Sequence, residues 1–227
     1  YILTRLKESG RLPANGVVVK SFVTTGMAKA ICDDFGVELV DVPVGFKFIG
    51  EKIKEYEADH SHTFLFGFEE SCGYLRGTEG SRDKDAVVAS MLCAEMVCYY
   101  TYTHQSVYGR LMDIYAKYQY VLDKNVSVKF DGLNAMKEMN ALVDSLKTKP
   151  VDYSKPVRRL ADGTEEPIDI PTTNAVYYEL ENGSFICVRP SGTEPKLKIY
   201  YSVRAKDEES ALRAFDRMKT AFEAFLR

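Results

Sequence analysis

The sequence lacks the long apolar run, the paired cysteines and the one-sided charge that mark several large classes of protein. No apolar stretch reaches the roughly 18 residues that a membrane-spanning helix needs, so no membrane association is expected. The five cysteines are odd in number and include no CxxC pair, which favours reduced thiols in a cytoplasmic protein. The formal net charge of -3, from 33 acidic and 30 basic residues, argues against nucleic acid or a membrane surface as the partner.

The GxxxxGK[ST] pattern of a Walker loop is also absent, which removes one common type of phosphate site. What is present is a chain of 227 residues, 45% of them hydrophobic, which is long enough for two small domains with cores of their own. The sequence begins with Tyr1 in a stretch typical of the middle of a helix, and this start predicts a piece of a longer chain.

The first part of the chain, residues 1–122, alternates between strand and helix patterns. The β-branched runs "VVVKSF" and "VELVDVP" flank a helical stretch that ends at Gly36, and the apolar run "HTFLFGF" follows the helical stretch "GEKIKEYEA". Two further helices are expected in "DKDAVVASMLCAEMVCYYTYTH" and "SVYGRLMDIYAKY". This order predicts an α/β domain of three layers with a mostly parallel sheet.

The second part, residues 123–227, has a different pattern. A strand ("VSVKF") and a helix over residues 131–147 precede three strands, "AVYYEL", "FICVRP" and "KLKIYYSV", and a last amphipathic helix. These elements predict a smaller α+β domain with an antiparallel sheet and two helices on one face. The segment 148–173, between the helix over residues 131–147 and the strand "AVYYEL", contains four prolines and is expected to form a mobile loop.

The stretch "RPSGTEPKLKIY", residues 189–200, concentrates donors suited to an anion. Pro190 and Gly192 are expected to break the strand into a tight turn whose backbone N–H groups face one point. Hydroxyl groups, an arginine fork and two ammonium groups would complete a site for a phosphate monoester, although an ordinary solvated hairpin has the same spacing. The residues predicted to bind phosphate are Arg189, Ser191, Gly192, Thr193, Lys196 and Lys198.

A second candidate site is "FGFEESCGYL", where Glu69, Glu70 and Ser71 follow an apolar strand directly. In open α/β sheets ligands bind beyond the carboxyl ends of the strands, which is where these side chains are expected. Paired carboxylates there are suited to acid–base work, to a metal, or to hydrogen bonds from sugar hydroxyls, and the spacing does not choose between them. A charged loop that caps the next helix is the alternative, chiefly for Glu70.

Three basic residues complete the candidates. Lys47 lies in the glycine-flanked "GFKFIG", where a loop is expected, and Arg82 and Lys84 lie in "RDKD" before the long helix. The last two are close in sequence to the carboxylates and to a helix N-terminus, so they are predicted to contact the same anionic ligand.

Taken in order, "VGFKFIG", "FGFEESCGYL", "RDKDAV" and "RPSGTEPKLKIY" resemble the α-D-phosphohexomutase superfamily, most closely its phosphoglucomutase branch. The resemblance implies the third and fourth of that family's four domains. It implies that Glu69 and Ser71 bind sugar hydroxyls, that Lys47, Arg82 and Lys84 contact substrate, and that the Arg189 loop binds the substrate phosphate. Some branches have an arginine about where Tyr200 stands, so the roles of Lys196 and Lys198 stay open.

The chemistry implied by the resemblance needs parts that this sequence lacks. In the family a phosphoserine passes its phosphoryl group to the sugar, through a sugar bisphosphate and with the help of Mg²⁺. Neither the Thr-Ala-Ser-His-Asn-Pro loop of that serine nor the Asp-x-Asp-x-Asp metal loop occurs here. The expectation is therefore a substrate-recognition half without catalytic residues or metal ligands, inactive alone and partnered by the missing N-terminal domains of the same enzyme.

Three functions follow as hypotheses. The first is a hexose phosphate isomerase, a phosphoglucomutase that interconverts glucose 1-phosphate and glucose 6-phosphate. The second is phosphomannomutase or phosphopentomutase activity, because Glu69 and Ser71 suit several sugars. The third is a noncatalytic phosphate-binding module that recruits a phosphorylated partner, which the ordered set of sugar-type motifs disfavours.

Overall fold

The computed structural model describes residues 1–148, 157–159, 164–167 and 174–225. The chain divides into two compact units, Tyr1–Tyr118 and Gln119–Arg227, which we call the N-terminal unit and the C-terminal unit. The sequence pattern predicts a boundary after residue 122. In the structure the boundary follows residue 118, four residues earlier in the chain, and the first strand of the C-terminal unit begins at Tyr120.

The N-terminal unit alternates strands and helices. Among the described residues, no helix combines the length and the apolar character that crossing a membrane requires. The elements are α1 (Ile2–Glu8), β1 (Gly16–Ser21), α2 (Met27–Phe35), β2 (Glu38–Val42), α3 (Phe46–Asp59), β3 (Thr63–Glu69), β4 (Gly73–Leu75), α4 (Ala86–Tyr102) and α5 (Val107–Tyr118).

Its four strands form one sheet in the order β2-β1-β3-β4. Strand β1 pairs in parallel with both β2 and β3, and β4 is antiparallel to β3. All six residues of β1 are buried, as expected of a central parallel strand covered on both faces. The carboxyl ends of β1, β2 and β3 therefore meet at one edge of the sheet.

Helices cover both faces of this sheet. Val17 and Val19 of β1 pack against α3 through Ile49 and Ile53, whereas Val18 points the other way and packs with residues of α1 and α2. The alternation of side chains along β1 thus separates two apolar cores. The expected three-layer α/β domain with a mostly parallel sheet is confirmed.

A β-bulge in β3 decides which face its last residue uses. Val17 pairs with Phe64, but Val18 pairs with Phe66, so Leu65 is an additional residue in the strand. Beyond the bulge, Phe66 joins the core under α2, which leaves Glu69, three residues on, facing α3.

The C-terminal unit begins with the long strand β5 and ends with the long helix α7. The described elements are β5 (Tyr120–Lys129), α6 (Ala135–Thr148), β6 (Val157–Arg159), β7 (Glu165–Pro167), β8 (Val176–Leu180), β9 (Phe185–Pro190), β10 (Lys196–Ala205) and α7 (Glu208–Phe225). The six strands have the order β5-β10-β9-β8-β6-β7, and every described pair is antiparallel except β6 with β8.

Helices α6 and α7 pack on the same face of that sheet. Met139 and Val143 of α6 and Phe215 of α7 contact one apolar cluster, which also contains Leu197 and Ile199 of β10. These two residues alternate with Lys196 and Lys198, whose side chains therefore belong to the other face. The expected α+β domain with two helices on one face is confirmed.

Two local expectations need correction. Helix α3 begins at Phe46 rather than near Gly50. The chain turns at Gly45, at φ 130°, and residues 46–50, which the sequence pattern suggested were a loop, are already helical. Strand β5 begins at Tyr120 rather than Val126, since its whole length pairs with β10. Most of the segment 148–173 lies outside the described residues, and the part that is described includes the short strands β6 and β7.

Candidate functional site

The carboxylate loop, which we define as residues 69–73, connects β3 to β4. Glu69 pairs with Gly73 across the hairpin, so Glu70, Ser71 and Cys72 form its turn at the carboxyl end of β3. Cys72 closes the turn at φ 54°, a conformation that is uncommon outside glycine. Ser71 is exposed at the tip. The loop therefore lies at the sheet edge where α/β domains bind ligands.

Glu69 is 6% exposed and carries an ion pair with Lys84, whose Nζ lies 2.5 Å from Glu69 Oε1. The same ammonium group donates a hydrogen bond to the carbonyl oxygen of Ser71 at 3.2 Å. The hydrogen bond with Glu69 raises the pKa of Lys84 above its ordinary value, so Lys84 stays charged. The predicted site residues Glu69, Ser71 and Lys84 are thus brought together in the structure.

Glu70 turns to the opposite side of the loop. Its Oε2 accepts hydrogen bonds from the hydroxyls of Ser21 and Thr24, each at 3.2 Å. Its backbone N–H donates to Thr24 Oγ1 at 3.2 Å. Neither Ser21 nor Thr24 was a site candidate from the sequence, which places Ser21 in a strand and Thr24 as a possible N-cap of α2; the structure has Gly26 at that N-cap instead.

The other two basic candidates do not reach the carboxylate loop. Arg82 Nη2 donates to both carboxylate oxygens of Glu57 on α3, at 2.7 Å each. Lys47 lies in the first turn of α3 and not in a loop, with its Nζ 4.8 Å from the centre of the Phe48 ring. Lys47 is exposed, so its charge is available to solvent, and a substrate contact for either residue stays a prediction.

The phosphate loop, which we define as residues 189–196, connects β9 to β10. Two successive amides, those of Thr193 and Glu194, donate to Oγ of Ser191 at 3.4 and 3.3 Å, so they point at one oxygen atom. The loop is closed by the Ser191 N–H, which donates to the carbonyl oxygen of Lys196 at 2.8 Å. Gly192 and Thr193 are exposed.

Strand register places four cations around this loop. Arg189 lies directly opposite Lys198 in the pairing of β9 with β10, and Lys196 lies opposite Lys129 in the pairing of β10 with β5. Side chains directly opposite each other project from the same face, so these are two pairs of like charges. Within the part of the chain that the structure describes, no carboxylate forms an ion pair with any of them. Lys129 was not a candidate because only the register reveals it.

A separate apolar cavity of about 720 Å³ lies in the N-terminal unit, on the face of the sheet that α1 and α2 cover. The charged groups at its margin are paired with one another, Lys117 with Asp34 and Arg110 with Asp113. The charged side chains at the cavity are therefore already paired. Among the described residues, no group of three or more His, Cys, Asp or Glu side chains is placed to hold a metal ion.

Family models match both units of the chain. The model of phosphoglucomutase/phosphomannomutase α/β/α domain III matches residues 1–118, and the model of the C-terminal domain of the same family matches residues 134–219. The two matches fall within the N-terminal and C-terminal units respectively.

Curated relatives agree with this result. A phosphoglucomutase of Staphylococcus haemolyticus is 31% identical over 221 residues, which cover 92% of this chain and 40% of that protein. A phosphoglucomutase of Staphylococcus saprophyticus is 31% identical over 212 residues, covering 88% and 38% respectively. The chain thus spans about two fifths of the length of these relatives.

Solved structures share the fold. The open form of the Paramecium phosphoglucomutase pp63/parafusin has a TM-score of 0.61 and 14% identity, over 92% of this chain and 38% of that chain. A Burkholderia thailandensis protein of the phosphoglucomutase/phosphomannomutase family has a TM-score of 0.60 and 16% identity, over 99% and 41%. The chain therefore belongs to the phosphoglucomutase/phosphomannomutase family within the α-D-phosphohexomutases, and it contains the counterparts of that family's third and C-terminal domains.

Proposed function

We propose that this chain is the substrate-recognition part of a hexose phosphate mutase and that its phosphate loop binds the phosphate group of the sugar. The observation that supports this most strongly is the two cross-strand pairs of like charges, Arg189 with Lys198 and Lys196 with Lys129. Like charges placed directly opposite each other repel, so a dianion bound among them would relieve the repulsion. An arginine fork beside two converging backbone amides suits the oxygens of a phosphate monoester.

The carboxylate loop would recognise the sugar itself. Glu69 accepts hydrogen bonds only, and Ser71 both donates and accepts, which matches vicinal hydroxyl groups of a sugar ring. Glu69 is half of an ion pair with Lys84, so a sugar hydroxyl would add to an acceptor that is already oriented. We propose Lys47, Arg82 and Lys84 as further substrate contacts, of which Lys84 is the one adjacent to Glu69.

The sugar that we propose is glucose, interconverted between its 1-phosphate and 6-phosphate, because the curated relatives described above are phosphoglucomutases. Mannose or pentose phosphates are the second candidate, since the matching family models cover phosphomannomutases as well. All three sugars have hydroxyl groups, to which the donors and acceptors of the carboxylate loop are suited.

The phosphoryl donor, the Mg²⁺ ion and the sugar bisphosphate intermediate belong to our proposal for the complete enzyme. We assign no metal ligand and no phosphoryl donor to this chain, and no step of the reaction to its residues. Its loops would hold the phosphate and the hydroxyls in place, which is where much of the acceleration of phosphoryl transfer arises. We place the enzyme in the cytoplasm, in keeping with five cysteines that are all free thiols.

The test is an activity assay on the complete protein that contains this chain, with glucose 1-phosphate, mannose 1-phosphate and ribose 1-phosphate compared side by side. We expect conversion of glucose 1-phosphate to be fastest, and we expect this chain alone to convert none of them. Faster conversion of the mannose or ribose compound would move the assignment to that sugar. A complete protein that converts none of the three would refute the mutase assignment.

A further inference from the structure

The proposed function gives Glu69 and Ser71 a role but leaves Glu70, the residue between them, without one. Glu70 is half-buried, and its side chain accepts three hydrogen bonds. It exchanges two hydrogen bonds with Thr24, because its N–H donates to Thr24 Oγ1 and its Oε2 accepts from the same hydroxyl. This reciprocal pair fixes both the backbone and the side chain of Glu70.

The partners of Glu70 are themselves buried. Ser21 and Thr24 are 1% and 4% exposed, and their hydroxyl oxygens lie 2.6 Å apart. Buried hydroxyls need hydrogen-bond partners, and the Glu70 carboxylate supplies an acceptor to both. Residues 21–24, which we call the β1 turn, therefore form a buried support for the carboxylate loop.

A buried lysine secures the β1 turn from the other side. Lys20, at the end of β1, is 4% exposed, and its Nζ donates to the carbonyl oxygen of Thr24 at 2.9 Å. Its charge is balanced by Asp41 on β2, at 2.7 Å. Lys20 thus holds the β1 turn by a hydrogen bond, and the ion pair with Asp41 on β2 holds Lys20.

Glu70 also contacts the exposed tip of the loop. The Ser71 hydroxyl donates to Glu70 Oε1 at 3.4 Å. The two carboxylate oxygens of Glu70 therefore have different partners. Oε2 accepts hydrogen bonds from the β1 turn, and Oε1 accepts one from Ser71. A glutamine at this position has one acceptor oxygen, so it could keep only one of these two arrangements.

We propose that Glu70 is a positioning residue for sugar recognition, which anchors the carboxylate loop to the β1 turn and orients Ser71 toward the hydroxyls of a hexose phosphate. This inference rests on the proposed function of the carboxylate loop. Its physical reason is that recognition of hydroxyl groups depends on donors and acceptors held within about 0.5 Å of the productive geometry. Ser21 and Thr24 belong to the same positioning group.

The experiment compares two substitutions at position 24, one that removes the hydroxyl of the threonine and one that removes its methyl group. Thr24→Val removes the hydroxyl and keeps the branched shape, whereas Thr24→Ser keeps the hydroxyl and serves as the matched control. Glu70→Ala and Glu70→Gln are made alongside. Two measurements are taken on the 227-residue chain, amide hydrogen exchange of residues 69–73 and calorimetric affinity for glucose 1-phosphate and for inorganic phosphate.

For Thr24→Val and Glu70→Ala we expect exchange in the carboxylate loop to accelerate by about tenfold, as the loss of roughly 1 to 1.5 kcal/mol of hydrogen bonding implies. Affinity for glucose 1-phosphate should fall by a similar factor, with affinity for inorganic phosphate unchanged. Thr24→Ser should behave as the unsubstituted chain. Glu70→Gln should keep the exchange protection and still lose affinity for the sugar phosphate, because its amide replaces the acceptor of Ser71.

The outcomes separate this inference from the proposed function. Unchanged exchange in Thr24→Val and Glu70→Ala would overturn the anchoring role, whatever the chain binds. Accelerated exchange with unchanged affinity for glucose 1-phosphate would show that Glu70 is only structural, and would overturn the positioning role. An unsubstituted chain that binds inorganic phosphate but no sugar phosphate would instead refute the proposed role of the carboxylate loop, and this inference with it.

Discussion

The carboxylate loop and the phosphate loop differ in whether their charged side chains have partners. In the carboxylate loop both carboxylates have partners within the N-terminal unit, because Glu69 forms an ion pair with Lys84 and Glu70 accepts hydrogen bonds from two buried hydroxyls. At the phosphate loop, Arg189 lies opposite Lys198 of β10, and none of the carboxylates that the structure describes forms an ion pair with either. The first loop is therefore complete before a ligand arrives, and the second is not.

This difference indicates what each loop is suited to bind. Carboxylates that are already paired or hydrogen-bonded favour neutral, hydroxyl-rich groups, which need oriented donors and acceptors but bring no charge of their own. Uncompensated positive charge favours a dianion, which supplies the missing counter-charge. A sugar phosphate has both kinds of group. The predictions below test whether the two loops differ in this way.

The largest effect is expected from Arg189→Ala. Loss of a charged fork in contact with phosphate should weaken binding of both glucose 1-phosphate and inorganic phosphate by about 10- to 100-fold in calorimetric titration. Arg189→Lys keeps the charge and should lose less. The control is Arg213→Ala, which removes an arginine of the same unit that is paired with Glu209 on α7. Equal losses in Arg189→Ala and the control would contradict a specific phosphate contact.

The second effect concerns Glu69. Glu69→Gln keeps the size of the side chain but removes its charge and one acceptor, so affinity for glucose 1-phosphate should fall by about tenfold. Affinity for inorganic phosphate, measured in the same way, should stay within about twofold, because the phosphate loop is unchanged. A parallel loss of inorganic phosphate binding would contradict separate roles for the two loops.

A third prediction contrasts one glycine in each loop. A Cβ on Gly73 would lie 2.7 Å from Glu69 Cγ and 2.8 Å from the Phe46 ring, whereas a Cβ on Gly192 would meet nothing within 4 Å. Gly73→Ala should therefore destabilise the N-terminal unit by about 1 to 3 kcal/mol in urea unfolding. Gly192→Ala, its control, should change stability by less than about 0.5 kcal/mol. Equal destabilisation by both would show that the two loops are packed alike.

The smallest effect is expected for Lys84. Its ammonium group is already bound to Glu69 and to the Ser71 carbonyl oxygen, so Lys84→Ala should weaken glucose 1-phosphate binding by only about threefold, mostly by loosening the carboxylate loop. The measurement is calorimetric titration of Lys84→Ala and of Arg189→Ala with glucose 1-phosphate, so that the two losses of affinity can be compared. A loss as large as that of Arg189→Ala would mean that Lys84 contributes as much to binding of the anion as Arg189 does.

The fold was predictable from sequence because its patterns are local. The runs around Val18 and Leu65 predict buried strands, and Gly36, at φ 66°, ends α2 as its position indicates. The bulge at Leu65 was not predictable, since a bulge depends on pairing with β1. That bulge leaves Glu69 facing α3, so the orientation of the key carboxylate came from tertiary structure.

The site was predictable only in part. Glu69, Ser71 and Lys84 are grouped as the sequence suggested, but Arg82 is paired with Glu57, a residue on another helix. Lys129 could not be predicted, because it is 60 residues or more from the phosphate loop in sequence and lies beside Lys196 only through the pairing of β5 with β10. Contacts of this kind have no signature in a single sequence.

The most direct test of the account is an NMR titration of the ¹⁵N-labelled chain, first with inorganic phosphate and then with glucose 1-phosphate. We predict that inorganic phosphate shifts the amide signals of the phosphate loop, residues 189–196, and leaves the carboxylate loop, residues 69–73, unchanged. Glucose 1-phosphate should shift the signals of both loops. Shifts of the carboxylate loop by inorganic phosphate, or none by glucose 1-phosphate at millimolar concentration, would contradict the division of recognition between hydroxyl groups and phosphate.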